Sequence, residues 1–141
     1  MNEFKLDNII INQKAEFKVT ITTSMLEKFK EITGDVNPMH LDDIYAKEHG
    51  YESRLVYGML TASFYSTLVG VYLPGKYCIF QECNTSFNKP VYVDDILSIS
   101  GVVTEIHKVL KRITIKATIK NQKDEKVSKA TLVVGIYEES L

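Results

Sequence analysis

The stretch Gly58-Met59-Leu60-Thr61-Ala62-Ser63-Phe64-Tyr65-Ser66-Thr67-Leu68-Val69-Gly70-Val71-Tyr72 decides the fold. Met59, Leu60, Ala62, Phe64, Tyr65, Leu68, Val69 and Val71 leave a helix here almost no polar face. Such a helix must be buried on most of its sides. Leu73-Pro74-Gly75 stops it. What buries it has to come from the rest of the chain.

Downstream, everything reads as strand: Tyr77 to Asn88, Ile96 to Lys108, Leu110 to Asn121, then a polar turn at Gln122-Lys123-Asp124-Glu125, and Val127 to Glu138. The third of these gives the cleanest alternation, with Ile113, Ile115, Ala117 and Ile119 set against Arg112, Thr114, Lys116, Thr118 and Lys120. One face of that strand is buried and the other is wet. Upstream, residues 3 to 22 also read as extended, with Phe17, Val19 and Ile21 alternating against Glu16, Lys18 and Thr20. An antiparallel sheet with one solvated face, and a single apolar helix to cover the other, implies an α+β hot-dog fold, a sheet wrapped around a long central helix. A long unprotected edge strand invites pairing, so a homodimer is expected, alone or assembled into a dimer of dimers or a trimer of dimers.

Between the first strand and the central helix lie two short helical patterns. Ser24 and Glu27 form a capping box for a helix of about residues 25 to 33, carrying Met25, Phe29 and Ile32 and stopped by Gly34. The chain then runs Gly34-Asp35-Val36-Asn37-Pro38-Met39-His40-Leu41-Asp42-Asp43, an acid and an imidazole five residues apart on a loop fixed by a proline. Asn37 precedes Pro38 and is biased away from the helical region, so the loop is expected to be extended there with His40 pushed forward. Asp42 or Asp43 can cap a second helix that runs to His49 and closes at Gly50. Residues 51 to 57 read as an irregular connection.

With 141 residues, 45% hydrophobic and 25% charged, the chain is expected to form one soluble domain over 1–141. A net charge of −1 gives no global field toward nucleic acid or an anionic membrane. Met1 to Asp7 lacks the basic start and apolar run of a signal peptide, and no apolar segment reaches the roughly 18 residues of a membrane span. A cytoplasmic location is expected. Cys78 and Cys83, five apart, are expected on opposite faces of one strand as free thiols. No metal is expected: Asp35-x-Asn37 begins like a calcium loop, but His40 stands at the sixth position where glycine is required. No Gly-x-Ser-x-Gly or phosphate-binding glycine loop occurs, and His107 is read as structural.

Thr33-Gly34-Asp35-Val36-Asn37-Pro38-Met39-His40, followed by Asp43 and Ala46, then Ser53-Arg54-Leu55-Val56-Tyr57-Gly58-Met59-Leu60, resembles the MaoC-like dehydratases, which include the (R)-specific enoyl-CoA hydratases. Leu73-Pro74-Gly75 and Phe87-Asn88-Lys89-Pro90-Val91 extend the resemblance over most of the chain. It implies a hot-dog dimer of fatty acid metabolism that adds water to, or removes it from, a 2-enoyl thioester carried on coenzyme A or acyl carrier protein, with no further cofactor. By motif position, Asp35 and His40 are then the catalytic pair and the Gly58 backbone N–H the oxyanion donor, with Asn37 holding the loop and Ser66 a polar neighbour. Tyr57, Tyr65 and Val69 are expected to shape the acyl pocket, and Lys89 to meet the carrier's phosphates.

The chemistry is consistent with those residue types. Hydration needs a base to take a proton from water and an acid to protonate the α-carbon, and one water held between a carboxylate and an imidazole can supply both. Enolate charge building on the thioester oxygen is met by an N–H at the first turn of a helix, and glycine there leaves no Cβ in the way. Two departures stand out: Tyr57-Gly58-Met59 where the family commonly has His-Gly-Met, and Val93-Asp94-Asp95 where a Gly-Asp often follows the Pro-Val strand. Alternative readings of the same fold are an acyl thioesterase and a non-catalytic acyl-binding or heterodimer subunit.

Overall fold

The apolar stretch opens as a helix, and the strands after it fold around it. In the computed structural model residues 1–138 are described, and the end of the expected 1–141 domain, residues 139–141, lies outside them. The elements run β1 (Lys14–Thr20), α1 (Thr23–Thr33), α2 (Pro38–Leu41), α3 (Asp43–Glu48), α4 (Gly58–Thr67), β2 (Cys78–Phe87), β3 (Ile96–His107), β4 (Arg112–Lys120) and β5 (Lys126–Ile136). All pairings are antiparallel, in the order β1-β3-β4-β5-β2. The inner face carries the core: Leu97, Ile99, Ile113, Ile115, Ile119, Leu132 and Val134 lie against Tyr65, Leu68 and Val69. This is the hot-dog arrangement that the alternation implies. No helix among the described residues is long and apolar enough to cross a membrane.

What seats the helix on the sheet is a row of small residues. Ala15 pairs with Gly101, Gly101 with Ala117, and Ala117 with Ala130, so four neighbouring strands place small side chains on one rung. A Cβ on Gly101 would fall 2.8 Å from Ile115 Cγ2 and 2.9 Å from Leu68 Cδ2. Leu68 therefore sinks into a notch that only glycine leaves open. At that residue α4 widens into a single π-helical turn, Leu68–Tyr72, where the sequence pattern implies one continuous helix. Phe17 of β1 stacks on Tyr72 with ring centroids 4.8 Å apart, and the N-terminal strap bonds to the turn through Asn2 N–H to the Val71 carbonyl at 2.8 Å.

Several local expectations are corrected. Residues 3 to 13 are not a strand: Leu6–Asn8 form a 3₁₀ turn, Ile9 is buried while Ile10 and Ile11 are exposed, and Asn12 has φ 70°. The cap of α1 is Thr22, whose Oγ1 accepts from Met25 N–H at 3.3 Å, so the helix begins at Thr23, ahead of where Ser24 as cap would start it. Asn37 is non-helical as expected, with φ −57° and ψ 127°, but the chain does not stay extended beyond it: Pro38 opens α2, because its fixed φ suits the first helical position and Asn37 caps it. Cys78 and Cys83 do not face opposite ways. A register shift between Phe80 and Glu82 pairs Cys78 with Ile136 and Cys83 with Leu132, both inner-face positions, because one bulged residue changes the parity of the strand.

Both cysteines are free. Burial pushes the half-buried Cys78 thiol from the ordinary 9.0 up to about 11. In a Cys83→Ser background, alkylation of Cys78 at pH 8 is expected to run about a hundredfold below that of an exposed thiol and to recover on unfolding. Mass-spectrometric labelling rates check this. Filling the notch with Gly101→Val is expected to lower stability by roughly 1–3 kcal/mol, read as a lower denaturation midpoint with an unchanged slope.

Candidate active site

The loop after α1 is built from nested polar caps. Gly34 takes φ 70° and closes the helix by donating its N–H to the Lys30 carbonyl at 2.8 Å. Asp35 Oδ1 accepts from Asn37 N–H at 3.1 Å, and Asn37 Oδ1 accepts from Met39 N–H at 2.9 Å. Each carboxylate or amide thus folds the backbone two residues ahead of it, which is how Asp and Asn make turns. His40 rides on the resulting turn. Its Nδ1 lies 2.7 Å from the Leu55 carbonyl, and a carbonyl only accepts, so Nδ1 carries the proton. With Nδ1 donating, Nε2 is the ring nitrogen left to exchange a proton.

Tyr57, the residue just before α4, ties this loop to the core. It is 2% exposed, its ring stacks on His40 with centroids 4.2 Å apart, and Phe29 lies 4.9 Å away on α1. Its hydroxyl donates to the Asp35 backbone carbonyl at 2.7 Å. Burial raises the phenol's pKa, the Asp35 charge adds to that, and Arg54 opposes it, so the hydroxyl stays a donor. Tyr57 was expected to shape the acyl pocket; it is instead a buried brace, bonded to the Asp35 carbonyl and stacked on His40.

His40 and Gly58 meet on one cleft of about 360 Å³, walled by Leu55, Val56, Thr61, Phe87, Val91 and Val127 and rimmed by Lys89. Val56 N–H donates to the Val91 carbonyl at 2.8 Å, which fixes the strap that carries Tyr57 and Gly58 over that wall. Gly58 is the first residue of α4, so its N–H has no acceptor within the helix. A Cβ there would sit 3.4 Å from the Phe87 ring, so glycine also admits the aromatic wall. The loop is not buried within this chain: Asp35 and Asn37 are exposed and His40 is half-buried.

Other expected residues lie elsewhere. Tyr65 and Val69 are 0% and 1% exposed and belong to the core behind the cleft. Ser66 is exposed on the side of α4 that also shows Met59 and Ser63. Lys89 is at the rim, but its ammonium is paired with Glu125 and holds that carboxyl below its ordinary pKa. Asp94 takes φ 74°, the conformation that favours a glycine at that point of the family pattern. The Leu55 carbonyl, Phe87 and Thr61 were not singled out in the sequence. Phe87, inside the Phe-Asn-Lys-Pro-Val segment, and Leu55, inside Ser53 to Leu60, carried signal only as parts of family-like segments. No group of three or more metal-ligating side chains occurs among the described residues.

A family model for the MaoC-like domain matches residues 8–127. An (R)-specific enoyl-CoA hydratase of Aeromonas caviae is 35% identical over 96 residues, 68% of this chain and 72% of that protein. The enzyme of the same name from Rhodospirillum rubrum is 30% identical over 112 residues, covering 79% of this chain and 78% of its own. Among solved structures, the (R)-hydratase from A. caviae superposes with a TM-score of 0.87 at 30% identity, over 92% of this chain and 98% of that one. An R-hydratase from Pseudomonas aeruginosa reaches 0.90 at 28% identity, over 99% and 89%.

Removing the brace alone, Tyr57→Phe keeps the ring stack and deletes one hydrogen bond. A stability loss of roughly 0.5–1.5 kcal/mol is expected. Hydrogen exchange should quicken at the Asn37 and Met39 amides while the sheet amides hold, which separates loop release from global loosening.

Proposed function

The chain belongs to the MaoC-like domain family, and from that premise we propose that it hydrates a trans-2-enoyl thioester to the (R)-3-hydroxyacyl thioester, or runs the reverse dehydration. It is a hydro-lyase on this reading. The observation that carries it is the meeting of a tautomer-fixed His40 and the unpaired Gly58 N–H on one cleft; Asp35 lies outside that lining, its backbone carbonyl held by the Tyr57 hydroxyl. The names of the relatives support the same reaction.

A water held between Asp35 and His40 loses a proton as its oxygen attacks C3 of the enoyl group. The π electrons move toward the thioester, and the oxygen takes up enolate charge facing Gly58 N–H, backed by the positive end of the α4 dipole. Return of a proton to C2 completes the addition, so one water enters and nothing leaves. Because Nδ1 of His40 already donates to the Leu55 carbonyl, the ring receives its proton at Nε2 without turning. The thioester supplies its own electron sink, so the reaction as proposed uses no cofactor or metal.

The acyl group is carried by coenzyme A or acyl carrier protein, and Lys89 can reach its phosphates only by leaving Glu125. We take the enzyme to be a cytoplasmic homodimer. An unpaired edge strand supports the dimer: β2 is bonded on one side by β5, Ile79, Cys83 and Phe87 along it are exposed, and Met59 of α4 is exposed as well.

The test is loss of enoyl ultraviolet absorbance with crotonyl-CoA and longer enoyl thioesters. Asp35→Asn and His40→Gln are each expected to lower kcat roughly 10²- to 10⁴-fold with the fold intact by circular dichroism. Unchanged rates in both variants, or thiol release from a saturated acyl-CoA in place of hydration, would overturn the assignment.

A further inference from the structure

The outer face of the sheet holds a second concavity, larger than the cleft. Ser100, Thr118 and Lys129 alternate along β3, β4 and β5 with the core residues Ile99, Ala117 and Ala130, so they turn away from α4. The strands twist and the side chains here are short, which leaves a trough of about 980 Å³ that all five strands line. Its hydroxyls are half-buried. Ser100 Oγ lies 3.1 Å from Thr118 Oγ1, and Thr131 Oγ1 accepts from the Lys116 ammonium at 3.0 Å.

Charge in this trough is one-sided. Lys14, Lys116, Lys126 and Lys129 line it, and the carboxylate among them is that of Glu16. The chain as a whole carries −1, so the excess is local. None of these four lysines is ion-paired among the described residues, whereas Lys89 and Lys111 elsewhere both are. Lys116 pairs with Thr131, and Lys129 with Thr118, so the two lysines are diagonal neighbours on adjacent strands, roughly 7–8 Å apart. That is within a Debye length at physiological salt, and an anion between them relieves their repulsion.

The lining decides the class of anion. It holds no aromatic side chain on which a base could stack, which disfavours single-stranded nucleic acid. A second copy of the same face would set lysine against lysine, and a flat bilayer would not reach a concave floor. Ammonium groups and hydroxyls are what phosphate oxygens bind to. From β1 to β5 the cations span three strand spacings, about 14 Å, more than one phosphate group can meet. We propose that this trough binds a linear oligophosphate, with Lys116 and Lys129 as its principal contacts. Phe87 and Val127 wall the cleft while their neighbours Ser86 and Lys126 line the trough, so β2 and β5 stand between the two. The oligophosphate site is thus separate from the thioester's and stands independently of the hydratase reading.

Tripolyphosphate, titrated calorimetrically into the whole chain at low salt, is the probe. Its affinity is expected to fall as salt rises, with roughly 10-fold losses in Lys116→Gln and in Lys129→Gln and none in Lys108→Gln, which removes the same charge from the β3–β4 turn. All three side chains are exposed, so the variants should melt with the wild type, and tripolyphosphate should raise the melting temperature most in the wild type and Lys108→Gln. Crotonyl-CoA hydration should be unchanged in Lys116→Gln. Equal losses in all three variants overturn the proposal, because net charge then suffices. No binding overturns it too, as does tighter binding of adenosine triphosphate, duplex DNA or a glutamate-rich peptide than of tripolyphosphate. A raised KM for crotonyl-CoA in Lys116→Gln assigns the trough to the acyl carrier's phosphates and overturns a separate site.

Discussion

The contact on which the rest of the structure depends is Leu68 against the face of Gly101. Two neighbouring atoms would lie within 3.0 Å of a side chain at that glycine, so the helix can approach the sheet only where the sheet has nothing to offer. The small rung from Ala15 through Ala130 extends that absence across four strands. With the helix seated there, large residues on either side of the rung, Leu97, Ile99, Ile113, Ile115 and Leu132, close around it. A fully buried aliphatic side chain is worth about 1.5–3 kcal/mol, and the wrapped sheet buries many of them at once. The hydrophobic effect drives the wrapping, and the rung fixes its position.

That seating sets the far end of α4 as well. Gly58 heads a helix anchored at its other end by Leu68, and the strap before it is pinned by the Val56 N–H to Val91 carbonyl bond. Tyr57 sits at the junction, buried in the core on one side and reaching the Asp35 carbonyl on the other. Its ring also fixes the plane of His40, while the Leu55 carbonyl fixes that ring's tautomer. The acid and base are therefore located by backbone and core groups rather than by one another. A family position commonly held by histidine is filled here by a residue that stays uncharged across the physiological range, because burial and the Asp35 charge both raise its pKa.

The strands were legible because their alternation is strong. Ile96 to Lys108 and Leu110 to Asn121 were read within two residues of β3 and β4, and the single buried helix against a half-wet sheet led to the architecture. Less was legible where one residue changes the meaning of its neighbours. The bulge near Gln81 reverses the parity of β2 beyond it, and Asn12 turns an apolar triplet out of the sheet. In the candidate site, the acid, the imidazole and the helix-leading glycine stood out by motif. Tyr57's role did not, because an aromatic before an apolar helix is ordinary, and its partner lies 22 residues away. Tyr65 was legible only as an apolar pocket wall, since nothing local indicates that Ser128, 63 residues on, will take its hydroxyl.

The exposure of Asp35 bears on how such a site could work. A carboxylate open to bulk water competes with solvent for any water it is meant to orient, and charge developing on a thioester oxygen is weakly stabilised wherever the dielectric is high. The cleft in a single chain shields His40 and Gly58 better than it shields Asp35. The proposed homodimer would cover apolar surface at the same end of the molecule: the Phe87 ring packs on Gly58, and the exposed Met59 follows directly in sequence. Burying that corner would remove water from the cleft mouth and satisfy an open strand edge in one step. On the proposed dimer, the association that covers the β2 edge would also dry the site enough for a backbone N–H to act as a strong donor, which links one of the sheet's two edges to its chemistry.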